Sequence, residues 1–202
     1  MSEQLSFDEL LEPHAEGEGL HRLIRYAVLL ERWSCRHSLV SYRDRRELVE
    51  RHIVDALAAR KEFSGSGVLL DVGSGAGLPG VPLLAVSPGW RGLLLEPRQK
   101  RWAFLRLVIR ELGLDATAER WRYQDLAMDA GRFHRVTARA LGGYPELLKW
   151  ASGRLTDGGG VLLWSTASDL AGLEEIPGWR VLSSPLPGLT HGRLVRLQPC
   201  FT

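Results

Sequence analysis

The segment Asp71-Val72-Gly73-Ser74-Gly75-Ala76-Gly77-Leu78-Pro79-Gly80 sets a carboxylate directly ahead of glycines at 73, 75 and 77. Glycine adopts positive φ readily and lets a ligand come against bare backbone, so such a bend after an apolar run is a ligand loop. Pro79 suits the first turn of a helix that follows. Residues 75–80 also satisfy the G-x-G-x-x-G dinucleotide pattern, with Glu96 19 residues beyond Gly77. On the pattern alone, an NAD(P)-dependent oxidoreductase stays open. Two features favour S-adenosylmethionine: the leading Asp71, which can hold an ammonium directly or through water, and the alternation of Gly73, Gly75 and Gly77. A dinucleotide has no ammonium and would instead set its pyrophosphate at the helix N-terminus.

The remaining candidates follow from position. Asp71, Gly73, Ser74, Gly75, Gly77 and Leu78 would form the cofactor loop. Glu96, at the end of the next apolar run, offers two oxygens to the two ribose hydroxyls, or is an ordinary strand-end acid. Gln124 and Asp125, after a third strand, lie where an adenine edge is hydrogen-bonded. Arg139 closes the run 136–138 at the carboxyl edge of the sheet, where open α/β folds bind ligands, and its rival reading is a buried structural arginine. Lys100 and Arg101, with Arg139, could hold phosphate or a base. His52 and Asp55 line the mouth or fix their helix. Cys35 and Cys200 give no metal-ligand spacing and no disulfide framework, so no metal is expected.

These residues need an α/β frame. Apolar residues at Leu23, Ile24, Ala27 and Leu30 follow helical spacing from 20 to about 33, and a second helix is expected over 46–60. Residues 1–18 read as a loosely held arm or first helix ending at Gly17-Glu18-Gly19. After Gly65-Ser66-Gly67 the period changes: strands are expected at 68–72, 92–96, 116–119, 136–138, 161–164, 179–182 and 194–197, with a helix over 99–112. Continuous apolar runs indicate a mostly parallel sheet covered on both faces, its last two strands forming an antiparallel hairpin around 185–192 at the edge. Residues 1–64 would be a helical extension and 65–202 a Rossmann-like domain, together one compact unit.

The 202 residues suit a single domain of roughly 100–200 residues. No window approaches the run of about 18 apolar residues that a membrane span needs, and no signal peptide opens the chain, so a soluble, cytoplasmic, monomeric protein is expected. The net charge is only +2, but residues 21–62 carry ten basic against six acidic groups and residues 91–110 six against one. Clusters such as Arg43, Arg45, Arg46 and Arg98, Lys100, Arg101 could neutralise phosphates or be solvated helix faces.

With Trp33, Arg51-His52-Ile53-Val54-Asp55, the stretch 71–82, Lys100-Arg101 and Arg139-Ala140, the chain resembles the bacterial 16S ribosomal RNA guanine-N7 methyltransferases, once called glucose-inhibited division protein B. The resemblance covers about residues 20–198, and 73–82 is its most specific segment. It implies a Rossmann-like class I methyltransferase with a helical N-terminal extension, S-adenosylmethionine as donor, and a guanine in the 530 loop of 16S RNA in the small subunit as acceptor. The chain departs from that family at Ser34 and Ser38, where asparagines are usual, at His134, where aspartate is common, and at Trp164-Ser165-Thr166, where Leu-Lys-Gly is usual. Those positions read as substrate-side, so a donor-binding relative with a different or lost RNA substrate is the alternative. Guanine N7 carries a lone pair and no proton, so positioning replaces a catalytic base. An unstacked base could lie on Trp33, Trp102, Trp121 or Tyr123, the last two being the better surface candidates.

Overall fold

Seven strands form one sheet in the computed structural model, which describes residues 5–127, 131–187 and 192–200. In chain order they are β1 (Gly67–Val72), β2 (Trp90–Leu95), β3 (Ala116–Glu119), β4 (Phe133–Arg139), β5 (Leu155–Thr166), β6 (Trp179–Pro185) and β7 (Gly192–Pro199). The spatial order is β3-β2-β1-β4-β5-β7-β6. The first five run parallel, and β7 lies antiparallel to both β5 and β6. The expected terminal hairpin is present, with β7 inserted inside the edge; of its turn, residues 188–191 lie outside the described residues. The chain leaves β1 toward β2 and β3, then returns to start β4 on the other side. That reversal opens a crevice above the carboxyl ends of β1 and β4.

Alternating side chains of the strands feed two cores. Leu69, Leu94, Leu162 and Trp164 face the helices α1 (Phe7–Leu11), α2 (Gly17–His37), α5 (Gly80–Ala85) and α6 (Gln99–Leu112). Leu70, Leu95, Val161 and Leu163 face α7 (Tyr144–Ser152) and α8 (Ala167–Glu174) on the opposite side. Period-two alternation with apolar residues on both faces is what a doubly covered sheet requires.

Several expectations are corrected. Of the two readings of the N-terminal residues, the first helix holds and the loose arm does not: Ser6 and Glu9 form a capping box on α1, and Phe7, Leu10 and Leu11 are buried. Gly17-Glu18-Gly19 opens α2 instead of ending the arm, and α2 continues to His37. The expected helix over 46–60 divides into α3 (Arg45–Leu48), a π-helical stretch Val49–Val54, α4 (Asp55–Leu57) and a 3-10 turn Arg60–Phe63. Strands β4 and β5 extend beyond the apolar runs because Arg135, Thr156 and Asp157 read as loop residues in sequence.

Three of the departures have a visible place in the fold. Ser38 ends α2 at φ 48, the left-handed conformation that asparagine tolerates better than most residues. Ser34 is buried on α2. The imidazole Nδ1 of His134 accepts the Val68 N–H at 3.1 Å, joining β4 to β1.

Candidate active site

The glycine loop follows β1 and is held from below. Asp71 is 0% exposed; its Oδ1 accepts the Thr137 hydroxyl at 2.6 Å and its Oδ2 accepts the Gly80 N–H at 3.3 Å. Parallel register puts Asp71 beside Thr137, which is why the hydroxyl is in reach. A Cβ on Gly80 would stand 2.7 Å from Asp71 Oδ2, so only glycine lets the loop close over the carboxylate. Burial pushes the Asp71 carboxyl up to about 6. The fully buried Tyr26 hydroxyl, from α2, donates to the Ala76 carbonyl at 2.8 Å, so the extension braces the loop from its other side.

Glu96 ties the loop to α6. Its Oε2 accepts the Gly75 N–H at 3.0 Å and its Oε1 accepts the Arg98 N–H at 2.8 Å. The residue is 4% exposed yet lines a cavity of ≈ 680 Å³ above β1 and β4. That cavity is bounded by Val72, Gly73 and Glu96 on the loop side, by Pro97, Arg98 and Arg101 at the start of α6, by 121–124 beyond β3, and by 139–143 beyond β4 with Glu146 of α7. Trp121, 46% exposed, forms part of its rim.

The expected cofactor residues therefore divide. Gly73, Glu96, Gln124 and Arg139 line the cavity, as does Arg101. Asp71, Ser74, Gly75, Gly77 and Leu78 lie behind the wall as its support, all buried. Asp71 has one bond on each oxygen within the protein and is 0% exposed, so it stands behind the loop and does not line the cavity. Asp125 accepts the Arg122 N–H at 3.0 Å, capping the 3-10 turn Tyr123–Asp125, and does not line the cavity. Tyr123 is buried and packs edge-on to Trp150, so it is not the surface residue expected. Trp33 and Trp102 pack too: Trp33 against Phe104, and Trp102 with its indole N–H on the Ala118 carbonyl. Sequence reasoning missed the 140–143 wall; the pair Gly142-Gly143 directly after a strand was its only signal.

Arg139 joins the extension to the sheet edge. Its Nη2 donates to the Arg51 carbonyl at 2.8 Å and stands 3.3 Å from Asp55 Oδ2. Arg51 belongs to the π-helical stretch, so the guanidinium ties that stretch to the end of β4. Asp55 is 1% exposed, and burial pushes its carboxyl up to about 6 against the pull of Arg139 and Arg51. His52 does not reach the cavity; its Nε2 lies 3.1 Å from the Ser41 carbonyl, and burial lowers its pKa. Lys100 is exposed at the start of α6, outside the lining.

Among solved structures, a methyltransferase from Geobacter sulfurreducens superposes with a TM-score of 0.63 at 13% identity, covering 93% of this chain and 90% of that one. A precorrin-6y C5,15-methyltransferase from Geobacter metallireducens gives 0.59 at 16% identity over 71% of this chain and 87% of that one. Identities so low speak for the fold alone. The sequence speaks more narrowly. Ribosomal RNA small subunit methyltransferase G of Stenotrophomonas maltophilia is 35% identical over 175 residues, 85% of this chain and 82% of that protein. The protein of the same name from Ralstonia nicotianae is 33% identical over 197 residues, 91% of this chain and 88% of that protein. The family described as GidB, rRNA small subunit methyltransferase G, matches residues 20–177, a span holding the glycine loop, Glu96, Arg139 and the π-helical stretch. With the loop, the crevice and most of the extension inside that match, the chain belongs to the rRNA small subunit methyltransferase G family.

Proposed function

We propose that this chain transfers the methyl group of S-adenosylmethionine to N7 of a guanine in the 530 loop of 16S ribosomal RNA, acting on the small ribosomal subunit. The observation that carries this reading is Glu96, which pins the glycine loop through Gly75 while facing a ≈ 680 Å³ cavity at the strand-order reversal. The volume falls within the roughly 300–1,000 Å³ of small-molecule sites. Each Glu96 oxygen accepts one backbone N–H, and a carboxylate has about four lone-pair sites, so capacity remains for two ribose hydroxyls.

The other lining residues suit the rest of the donor. Gln124 and the Trp121 indole would hold the adenine, and Gly73 would let the amino-acid end approach the backbone. Arg101 and Arg139 would balance its carboxylate. Asp71, Ser74, Gly75, Gly77 and Leu78 keep the loop in shape. When bound, the donor supplies an electrophilic methyl carbon. The protein's part is placement: holding N7 near that carbon at about 3–3.5 Å is worth about 7–11 kcal/mol, with no proton to remove.

Electrostatics support an RNA acceptor. Arg43, Arg45, Arg46 and Arg51 are paired with Glu47, Glu31, Glu50 and Glu47, so part of their charge is already offset within the protein. Arg98, Lys100 and Arg101 have no ion pair among the described residues and border the cavity mouth. The contacts Arg25–Glu111 and Trp33–Phe104 set α2 antiparallel to α6, which brings the Arg36 end of α2 toward the same mouth.

Calorimetry should show S-adenosylmethionine binding and no NAD binding; NAD binding alone overturns the reading. Nucleoside mass spectrometry of small-subunit RNA should lose 7-methylguanosine when the gene is removed. An unchanged profile overturns the acceptor.

A further inference from the structure

A second cavity, of ≈ 470 Å³, adjoins the first and shares its 140–143 wall. Its far side is the start of α8, at the carboxyl end of β5. Asp169 on that side is held rigidly. It accepts the Ser165 hydroxyl at 2.9 Å, the Thr166 N–H at 3.0 Å and the Thr166 hydroxyl at 2.7 Å, all on Oδ2. Among the described residues no hydrogen bond reaches Oδ1. The three bonds hold its carboxyl below the usual range, so it is charged at neutral pH. Tyr144 lines the same cavity, and Pro145, Leu173 and Ile176 supply apolar wall.

We propose that this cavity receives the unstacked target guanine and that Asp169 reads its Watson–Crick edge. The inference rests on the proposed methyl transfer and deepens it. Guanine carries two adjacent donors, N1–H and the exocyclic amine, and Asp169 Oδ1, which takes no hydrogen bond among the described residues, has two lone pairs to offer them. Adenine presents an acceptor at N1, which a carboxylate repels. N7 lies on the opposite edge of the purine, so a guanine held by Asp169 turns N7 away from α8 and toward the shared wall and the donor cavity. A base drawn out of an RNA stack needs a pocket with apolar walls and an edge-reading group, and both are present here.

Two substitutions test this without touching the donor cavity. Asp169→Asn retains an oxygen for Ser165 and Thr166, preserving the start of α8, while offering N–H groups to guanine's own donors. Gly172 lines the cavity, and a Cβ there meets nothing within 4 Å, so Gly172→Phe fills the space without disturbing the helix. The substrate is small subunits purified from a strain lacking the gene. Both variants should bind S-adenosylmethionine within about twofold of the parent and melt near it. Transfer should fall about 10- to 100-fold, the range of one lost base-edge contact. Parental transfer rates in either variant overturn the pocket, as does a parallel loss of donor binding. A parent that binds no S-adenosylmethionine overturns the underlying reading instead.

Discussion

Glu96 and Asp71 are both buried acids beside the glycine loop, yet they do different work. Glu96 faces the cavity, so its loss should be felt by the ligand. A hydrogen bond to a charged group contributes about 1.5–3 kcal/mol, so Glu96→Ala should weaken S-adenosylmethionine binding about 10- to 100-fold by calorimetry. Glu96→Gln should fall between, since an amide can accept only one of the two backbone N–H groups that the carboxylate accepts now. Asp71 acts through the loop, and Asp71→Asn should bind the donor within a few-fold of the parent. The new amide can keep an oxygen on Gly80 while its N–H faces Thr137, whose hydroxyl has the Leu70 carbonyl at 3.5 Å as another acceptor. Stability should carry the larger signature. With the folded carboxyl raised from 3.8 to about 6, the folded state holds its proton more tightly than the unfolded chain. The resulting stability is complete below pH 3.8 and is lost as pH rises through 6. Melting curves of Asp71→Asn and parent should therefore converge at low pH, and the variant should gain on the parent between pH 3.8 and about 6. A gap independent of pH contradicts this sign.

Among the elements, legibility followed regularity. Helix α6 was readable to both ends, because an amphipathic run stops at Gly113, which takes φ 57. The π-helical stretch was not readable, since its apolar residues Val49 and Ile53 keep helical spacing and the extra residue per turn shows only in the backbone. The same limit applies to the site. Gly73 and Glu96 are legible because their chemistry is in the residue type, whereas Asp125, Tyr123 and His52 owe their actual roles to which way the chain turns. The Arg139–Asp55 contact could not be read from sequence for the same reason, and it makes a testable joint. Arg139→Ala leaves Asp55, 1% exposed, without its cation, and removing one partner of a buried pair costs about 3–5 kcal/mol. Asp55 can escape that cost by taking up a proton, so the destabilisation should be larger at pH 8 than at pH 5.5. Adding Asp55→Asn to Arg139→Ala should restore much of the loss at pH 8. Denaturant titrations at the two pH values check both statements, and equal losses at both would show that Asp55 does not feel the cation.

Across the whole molecule, paired and unpaired arginines lie on different surfaces. The carboxylates Glu31, Glu47 and Glu50 pair with Arg43, Arg45, Arg46 and Arg51, Glu47 serving two of them, and Arg45–Glu31 joins α3 to α2. The start of α6 has no such partners among the described residues, and it borders the larger of the two adjoining cavities. A net charge of +2 thus conceals a local field, and an RNA approaching the protein meets that field first. Each lysine or arginine that neutralises a phosphate releases condensed counterions, so log affinity falls with log salt by about 0.7 to 0.9 per contact. Lys100→Ala should accordingly weaken binding to small subunits and reduce that slope by about one contact, while leaving S-adenosylmethionine affinity as it is, because Lys100 does not line the cavity. Arg46→Ala is the control: its guanidinium is engaged with Glu50 at 3.1 Å, so its removal should leave the slope unchanged. Filter binding across a salt series distinguishes the two, and equal slopes for both variants would place the RNA elsewhere on the surface.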